Sequence, residues 1–320
     1  MNPSVTVLVT VKNSNSTIKK CVESLLNLDY SNKKIYIIDA FSNDGTYETL
    51  KFFEKEIHLE QLKGNPPIAY NHAFKKIKTE FVALTDGDCI VKKDWLKMLI
   101  SGFKSKQTLA VGGFCKTPKT SNKLQKIIGI ELEDRFKHFS EFVPRLPTMN
   151  LCIRTGIAKK LKFDERLNVA YDTDFGYRLT KIGKMRYEPK AIVYHYHRTS
   201  WKGFFKQQFV YGEFVPILYL KHKKRVSGDH ISKPSMGINL IAFITGTICL
   251  LLSFLNQLFT IPTILLFLLL ILSYFLDFIR LKVGMTDIHL FFTVFFIRTV
   301  GWSLGLLFSI KNVMRYLKWI

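Results

Sequence analysis

The chain has 320 residues, 48% of them apolar, enough for one large domain or two small ones around a sizeable core. Its 47 Lys and Arg against 25 Asp and Glu leave a net charge of +22, which raises nucleic acid as a partner, yet no zinc-finger spacing or RNA-binding aromatic signature accompanies it. Five cysteines, at positions 21, 89, 115, 152 and 249, show no short paired spacing, which speaks against a disulfide framework and for a reduced compartment.

The N-terminal MNPSVTVLVTVKN lacks a basic start, and its apolar run is short and β-branched. Val5 to Val11 therefore reads as a strand buried on both faces rather than as a signal peptide. In NSNSTIKKCVESLLN, residues Ile18, Cys21, Val22 and Leu25 fall at helical spacing, with Asn15 or Ser16 as the expected cap. The order then repeats. A strand over Lys34 to Ala40 leads to a helix opening at Asp44, a short strand near Ile57 to Leu62 to a helix from Pro67 to Ile77, and EFVALTD to a helix beginning at Asp94. Such alternation predicts an α/β fold, a mostly parallel central sheet with helices on both faces, whose ligands bind outside the carboxyl ends of the strands. Three polar clusters fall there: VKNSN, DAFSNDGT and DGDC. Taken alone, Asp86-Gly87-Asp88 is either a polar turn, the commoner role of an Asp-Gly pair, or a pair of carboxylates holding a cation between them.

The second half changes character. WKGFFKQQFVYGEFVPILYL, Trp201 to Leu220, mixes aromatics with a few charges and suits either an interfacial segment on a bilayer or an amphipathic helix packed on the preceding domain. KHKKR, Lys221 to Arg225, comes shortly before the first long apolar run, where cytoplasmic flanks are typically positive and anionic head groups attract them. Two membrane spans are expected at about 238–256 and 260–280, with Asn256, Gln257 and Pro262 marking the turn between them, and a third apolar segment at about 288–310 carries Arg298 near its middle. That cation needs compensation: Asp277 near the end of the second span, snorkelling, or an anionic group of a lipid-linked ligand. A three-span count with a cytoplasmic first domain places KNVMRYLKWI outside, against the positive-inside tendency.

In their order and intervals, VLVTVKNSN, IYIIDAFSNDGT, FVALTDGDCIVKKDWL, AVGGF, NLCIR and AYDTDFGYRLTKIGKMRYEPKAIVYHYHR resemble the family 2 glycosyltransferases of GT-A fold, the inverting, membrane-anchored type. The resemblance runs from about Ser4 to Tyr211. It implies that Asp39 contacts the nucleoside of a sugar nucleotide and that Val11, Asn13 and Asp86 help to bind the same donor. It further implies that Asp86 and Asp88 hold a divalent cation, Mg²⁺ or Mn²⁺, with His195 as a further ligand and His197 as its rival. Asp172 matches the general base, while Asp172 and Asp174 also suit the capping of a helix N-terminus. Two positions depart from the family pattern: Tyr171 stands where glutamate is common before the base, and Thr10 where proline is usual. The implied layout is a GT-A domain over 1–200, a basic interfacial segment over 201–235 and a membrane domain over 236–320. The implied activity is metal-dependent inverting transfer from a nucleotide sugar, UDP- or GDP-linked, to a hydroxyl of a membrane-associated, lipid-linked acceptor at the cytoplasmic face, with no nucleic acid involved. The alternatives are a polyprenyl-phosphate glycosyl synthase, which shares fold and anchor, and a non-catalytic membrane partner that has kept the fold.

Overall fold

The structure, a computed structural model, describes residues 2–223 and 234–318. The chain forms two compact units, one of residues 1–121 and 135–197, the other of residues 122–134 and 198–320. The elements in chain order are β1 (Val5–Val11), α1 (Asn15–Leu26), β2 (Lys33–Asp39), α2 (Thr46–Lys51), β3 (His58–Gln61), α3 (Pro66–Lys76), β4 (Phe81–Asp86), β5 (Cys89–Val91), α4 (Trp95–Ser101), β6 (Thr108–Lys116) and α5 (Lys123–Lys137). They continue with β7 (Leu151–Arg154), α6 (Thr155–Leu161), α7 (Tyr171–Leu179), β8 (Lys184–His195), α8 (Trp201–Lys221), α9 (Pro234–Ser253), α10 (Thr260–Arg280) and α11 (Ile288–Leu317).

The first unit holds one eight-stranded sheet in the order β3-β2-β1-β4-β7-β6-β8-β5. The half containing β3, β2, β1 and β4 is parallel, as its alternation with helices predicts. The other half is mixed: β7 runs antiparallel to both β4 and β6, β8 parallel to β6, and β5 antiparallel to β8. The β-branched run of β1 is almost wholly buried, as befits a strand covered on both faces. One local expectation is corrected. The residue capping α1 is Ser14, and its side chain makes no capping hydrogen bond. The Asn15 amide donates instead to Asp44 Oδ2 at 3.1 Å, and the Ser14 amide to Thr46 Oγ1 at 2.8 Å. The cap is thus supplied by a loop about thirty residues away, where spacing within the helix cannot reveal it.

The second unit is helical. Helices spanning Pro234–Ser253, Gln257–Arg280 and Met285–Leu317 are each long and apolar enough to cross a membrane. Ile241, Leu251, Ile261, Leu265 and Leu268 are exposed along the first two, a composition suited to hydrocarbon rather than water. The third is the most buried of the three. Its partner is α8, Trp201–Lys221. The two helices approach backbone to backbone: a Cβ built on Gly305 would stand 2.1 Å from Phe209 O, so only glycine fits there. Trp302 Nε1 donates to Gln208 Oε1 at 2.9 Å across the same contact. Residues 224–233, including the end of the KHKKR cluster, lie outside the described residues.

Within this unit, Leu124, Ile127 and Ile128 of α5 join Phe204, Tyr274, Phe278, Phe291 and Phe295 in a single buried cluster. Arg298 is paired with Glu131 of α5, not with Asp277, which is held by Arg280 at 2.7 Å. The side chains of Arg298 and Glu131 are only 14% and 5% exposed. Four of the five cysteines, Cys21, Cys89, Cys115 and Cys152, are free and buried, and Cys249 of α9 is free and partly exposed.

Removing one member of a buried ion pair strands the other charge at a cost of about 3–5 kcal/mol, whereas replacing both by apolar residues is often nearly neutral. Arg298→Met should therefore lower the thermal midpoint of the detergent-solubilised protein sharply, and adding Glu131→Met should restore most of the loss. Equal losses in the single and double variants would show that the stranded charge is not what matters.

Candidate active site

The chain steps from β1 outward to β2 and β3, then returns to place β4 on the other side of β1. This reversal opens a crevice at the carboxyl ends of the strands. Val11 pairs with Asp39 and Thr10 with Asp86, so two carboxylates flank the end of one strand. With neighbouring strands about 4.8 Å apart, their backbones lie about 10 Å from each other.

Asp39 is fully buried. Its Oδ2 accepts from the Ser42 amide at 3.0 Å and from Gln61 Nε2 at 2.9 Å, and its Oδ1 accepts from the Ser42 hydroxyl. Three of the roughly four lone-pair sites of an ionised carboxylate are thereby occupied. Asp39 is first the anchor of its own loop. Asn13, exposed and in left-handed conformation at φ 53°, ties the first loop to the second: its amide donates to Ser42 Oγ at 2.8 Å, and its Oδ1 accepts from the Asn43 amide at 3.0 Å. Phe41 also has a positive φ, 54°, and is 51% exposed. Asparagine tolerates that region, whereas for a bulky side chain it is an outlier that costs energy.

Asp86 and Asp88, both partly exposed, flank a glycine held against β1. A Cβ on Gly87 would stand 2.8 Å from Val11 Cγ2, which explains why only glycine separates the two carboxylates. The turn is fixed by Thr17 Oγ1 donating to Gly87 O at 2.9 Å and by the Tyr196 amide donating to Asp88 O at 3.0 Å. The second of these bonds ties β8 to the motif. Of the two candidate histidines, His195 puts Nε2 3.5 Å from Asp88 Oδ1, while Nε2 of His197 lies 3.4 Å from Thr117 Oγ1. Asp88, Cys89 and His195 bring one ligand atom each to within 4.8 Å of one another, a set able to hold a metal ion. Asp86 is not part of that group.

Asp172 and Asp174 share the first turn of α7 but differ in occupation. Asp174 is fully buried, and its Oδ2 accepts from Arg178 Nε at 2.8 Å. Arg178 also holds the carbonyls of Leu161 and Lys162, so this pair serves to dock the helix. Asp172 is partly exposed and accepts from the Thr173 amide at 2.7 Å. Burial raises its carboxyl above the ordinary value, and the charge of Arg145 opposes that rise. Arg145 Nη1 donates to Thr173 Oγ1 at 2.9 Å. Tyr171 packs edge-on against Phe163, with ring centroids 5.6 Å apart, and its phenol is raised well above its ordinary value by burial.

Residues 6–166 match the model of glycosyl transferase family 2. The chain belongs to the family 2 glycosyltransferases. The matched segment contains Asp39, Asp86 and Asp88 and ends before Asp172 and His195. Among curated relatives, the pre-mycofactocin glycosyltransferase of Mycobacterium tuberculosis is 26% identical over 252 residues, covering 70% of this chain and 49% of the relative. The chain thus spans about half the length of that protein. A dolichyl N-acetyl-α-D-glucosaminyl phosphate 3-β-D-2,3-diacetamido-2,3-dideoxy-β-D-glucuronosyltransferase of Methanococcus voltae is 26% identical over 238 residues, covering 68% of this chain and 74% of the relative. Among solved structures, a mannosyltransferase of Pyrobaculum calidifontis, determined in complex with GDP-Man and Mn²⁺, aligns with 99% of this chain and 88% of its own at a TM-score of 0.57 and 13% identity. That likeness is one of fold, the GT-A arrangement.

Three residues of this candidate site escape a sequence reading. Cys89 was visible beside the motif, but only the pairing of β5 with β8 brings it to His195. Arg145 lies in an irregular loop 28 residues from Thr173, and Gln61 ends a strand whose side chains follow no clear alternation.

Strain of about 1–3 kcal/mol at Phe41 outweighs the roughly 0.4–1 kcal/mol that glycine's extra freedom in the unfolded chain costs. Phe41→Gly should therefore raise the thermal midpoint, since the half-exposed ring gives up little packing. A lower midpoint would show that the ring is held by contacts stronger than the strain.

Proposed function

We propose that this chain transfers a sugar from a nucleotide-sugar donor to a hydroxyl of a membrane-associated, lipid-linked acceptor, with inversion at the anomeric carbon and with a divalent cation at Asp88. The observation that carries this reading is the placement of Asp172, partly exposed on the first turn of α7 and beside an Asp174 that Arg178 already holds. A hydroxyl must lose a proton as it attacks, which calls for such a base; a lipid phosphate is already ionised and needs none. The name of the Methanococcus voltae relative, which describes transfer to a dolichyl-linked sugar phosphate, supports the same class of acceptor.

The residues divide the work as follows. Nucleoside and diphosphate occupy the crevice between the ends of β2 and β4. There the loop anchored by Asp39 and tied by Asn13 shapes the nucleoside side, next to Val11, and Asp86 approaches the ribose and diphosphate. Asp88, Cys89 and His195 offer carboxylate, thiol and imidazole donors, a set that fits a divalent cation, and Mn²⁺ accompanies GDP-Man in the solved Pyrobaculum calidifontis protein. When bound, such an ion supplies positive charge to the departing diphosphate. Asp172 takes the acceptor proton while the acceptor oxygen bonds to the anomeric carbon and the bond to the diphosphate breaks on the opposite face. The three long apolar helices anchor the catalytic unit, and the reduced cysteines and the basic run before the first of them favour its cytoplasmic side.

Asp172→Asn should keep donor affinity and lose transfer by about 10²–10⁴-fold, read by titration calorimetry with UDP- and GDP-sugars and by a transfer assay. Because its folded carboxyl is raised, Asp172 regains its proton at a pH above the usual carboxylate range, and transfer by the wild type should fall as pH drops through that raised value. The same shift disfavours the ionised form on folding, so this contribution to stability is present at low pH and lost as pH rises, and Asp172→Asn at neutral pH should be no less stable than wild type. Transfer by Asp172→Asn at the wild-type rate would favour a phosphate acceptor, as in a polyprenyl-phosphate synthase. Absence of nucleotide-sugar turnover by the wild type would favour a non-catalytic partner.

A further inference from the structure

Cys89 begins β5 directly opposite His195 of β8 in an antiparallel pair, so both side chains rise on one face of the sheet. Asp88 stands immediately before them, its backbone oxygen fixed by the Tyr196 amide. The two distances to one oxygen are informative: Asp88 Oδ1 lies 3.5 Å from His195 Nε2 and 3.8 Å from Cys89 Sγ. Donors about 2.1 Å from a tetrahedral ion stand about 3.4 Å apart, and an oxygen and a sulfur about 3.6 Å, given usual metal–oxygen, metal–nitrogen and metal–sulfur lengths. The carboxylate oxygen is therefore spaced from each of the other two donors, within a few tenths of an ångström, as it would be around one ion, and all three ligand atoms lie within 4.8 Å of one another. A buried cysteine is ordinarily a small apolar core residue, but this one has its sulfur turned toward a carboxylate and an imidazole.

We propose that Cys89 is itself a ligand of the cation at Asp88, so that this glycosyltransferase carries a mixed sulfur, nitrogen and oxygen site that prefers Zn²⁺ or Co²⁺ to Mg²⁺. Hard oxygen donors alone suit Mg²⁺ and Mn²⁺, whereas thiolate and imidazole select the later divalent ions. As the metal–sulfur bond forms, the thiol proton passes to solvent. Three protein ligands leave a fourth position for a diphosphate oxygen or water, the arrangement of open zinc sites. The inference rests on the proposed function for the ion's role, not for its presence.

The test uses the full chain in detergent, reduced, and loaded with Co²⁺ alone. Wild type should show a near-ultraviolet sulfur-to-cobalt charge-transfer band that is lost in both Cys89→Ser and Cys89→Ala. Zn²⁺ affinity, measured by competition with a chromophoric chelator, should fall at least tenfold in either variant, the lower end of what losing even an outer-shell partner costs. No such band in wild type, or an undiminished band in the variants, overturns the proposal; the wild-type spectrum alone decides it if neither variant folds. Nucleotide-sugar turnover is assayed in parallel. Turnover without the band sinks only the sulfur ligand, and the band without turnover sinks only the proposed function.

Discussion

The pairing of Val11 with Asp39 and of Thr10 with Asp86 is the constraint from which the rest of the first unit follows. Side chains alternate along a strand, so a slip of one residue in either pairing would turn a carboxylate to the opposite face of the sheet. The register is protected by packing, because Val5, Val7, Leu8 and Val9 are wholly enclosed and a slip would force their close-packed neighbours on both faces to rearrange. It is protected again at the strand ends, where Gly87 lies against Val11 and the loops after β1 and β2 exchange hydrogen bonds through Asn13, Ser42 and Asn43. The polar site is thus held by apolar packing behind it and by a short hydrogen-bonded seam in front. Phe41 bears the conformational cost of that seam.

The second unit solves a different problem with different means. Its helices have apolar outer faces, so specificity of packing has to come from close backbone approach and from a few paired charges rather than from hydrophobic burial alone. Gly305 against Phe209 supplies the first, and Arg298 with Glu131 the second. The helix that contributes Glu131 lies between β6 and β7 in the chain, which makes the membrane-type unit discontinuous in sequence.

Much of this was legible in the sequence. The β-branched run of β1, the repeated strand-to-helix order and the turn residues after each strand carry their own physical signatures, and Asp86 and Asp88 stood out because charged residues at the end of a buried run are costly without a purpose, whereas Asp39 and Asp172 were marked only by the resemblance to the family 2 glycosyltransferases. What the sequence concealed was long-range pairing. The partner of Arg298 lies 167 residues away on α5, so the nearer Asp277 was the natural expectation. The amides opening α1 are satisfied by Asp44 from another loop. The antiparallel insertion of β7 between β4 and β6 leaves no trace in local periodicity, yet β8, in the same mixed half of the sheet, is what delivers His195 to Asp88. Spacing along the chain reports the elements; the imidazole meets the adjacent carboxylate and thiol only through the sheet.

The distribution of thiols has a practical side. Four sulfurs are shut inside the sheet-bearing unit, and the fifth, on α9, is partly open on a helix whose neighbouring Ile248 and Leu250 are exposed. Thiol reactivity depends on access as well as on ionisation. The native protein therefore contains a single-site attachment point for a fluorophore or spin label on its apolar face, with no cysteine to add or remove. A polarity-sensitive probe placed there would report directly whether that helix is bathed in lipid or in water.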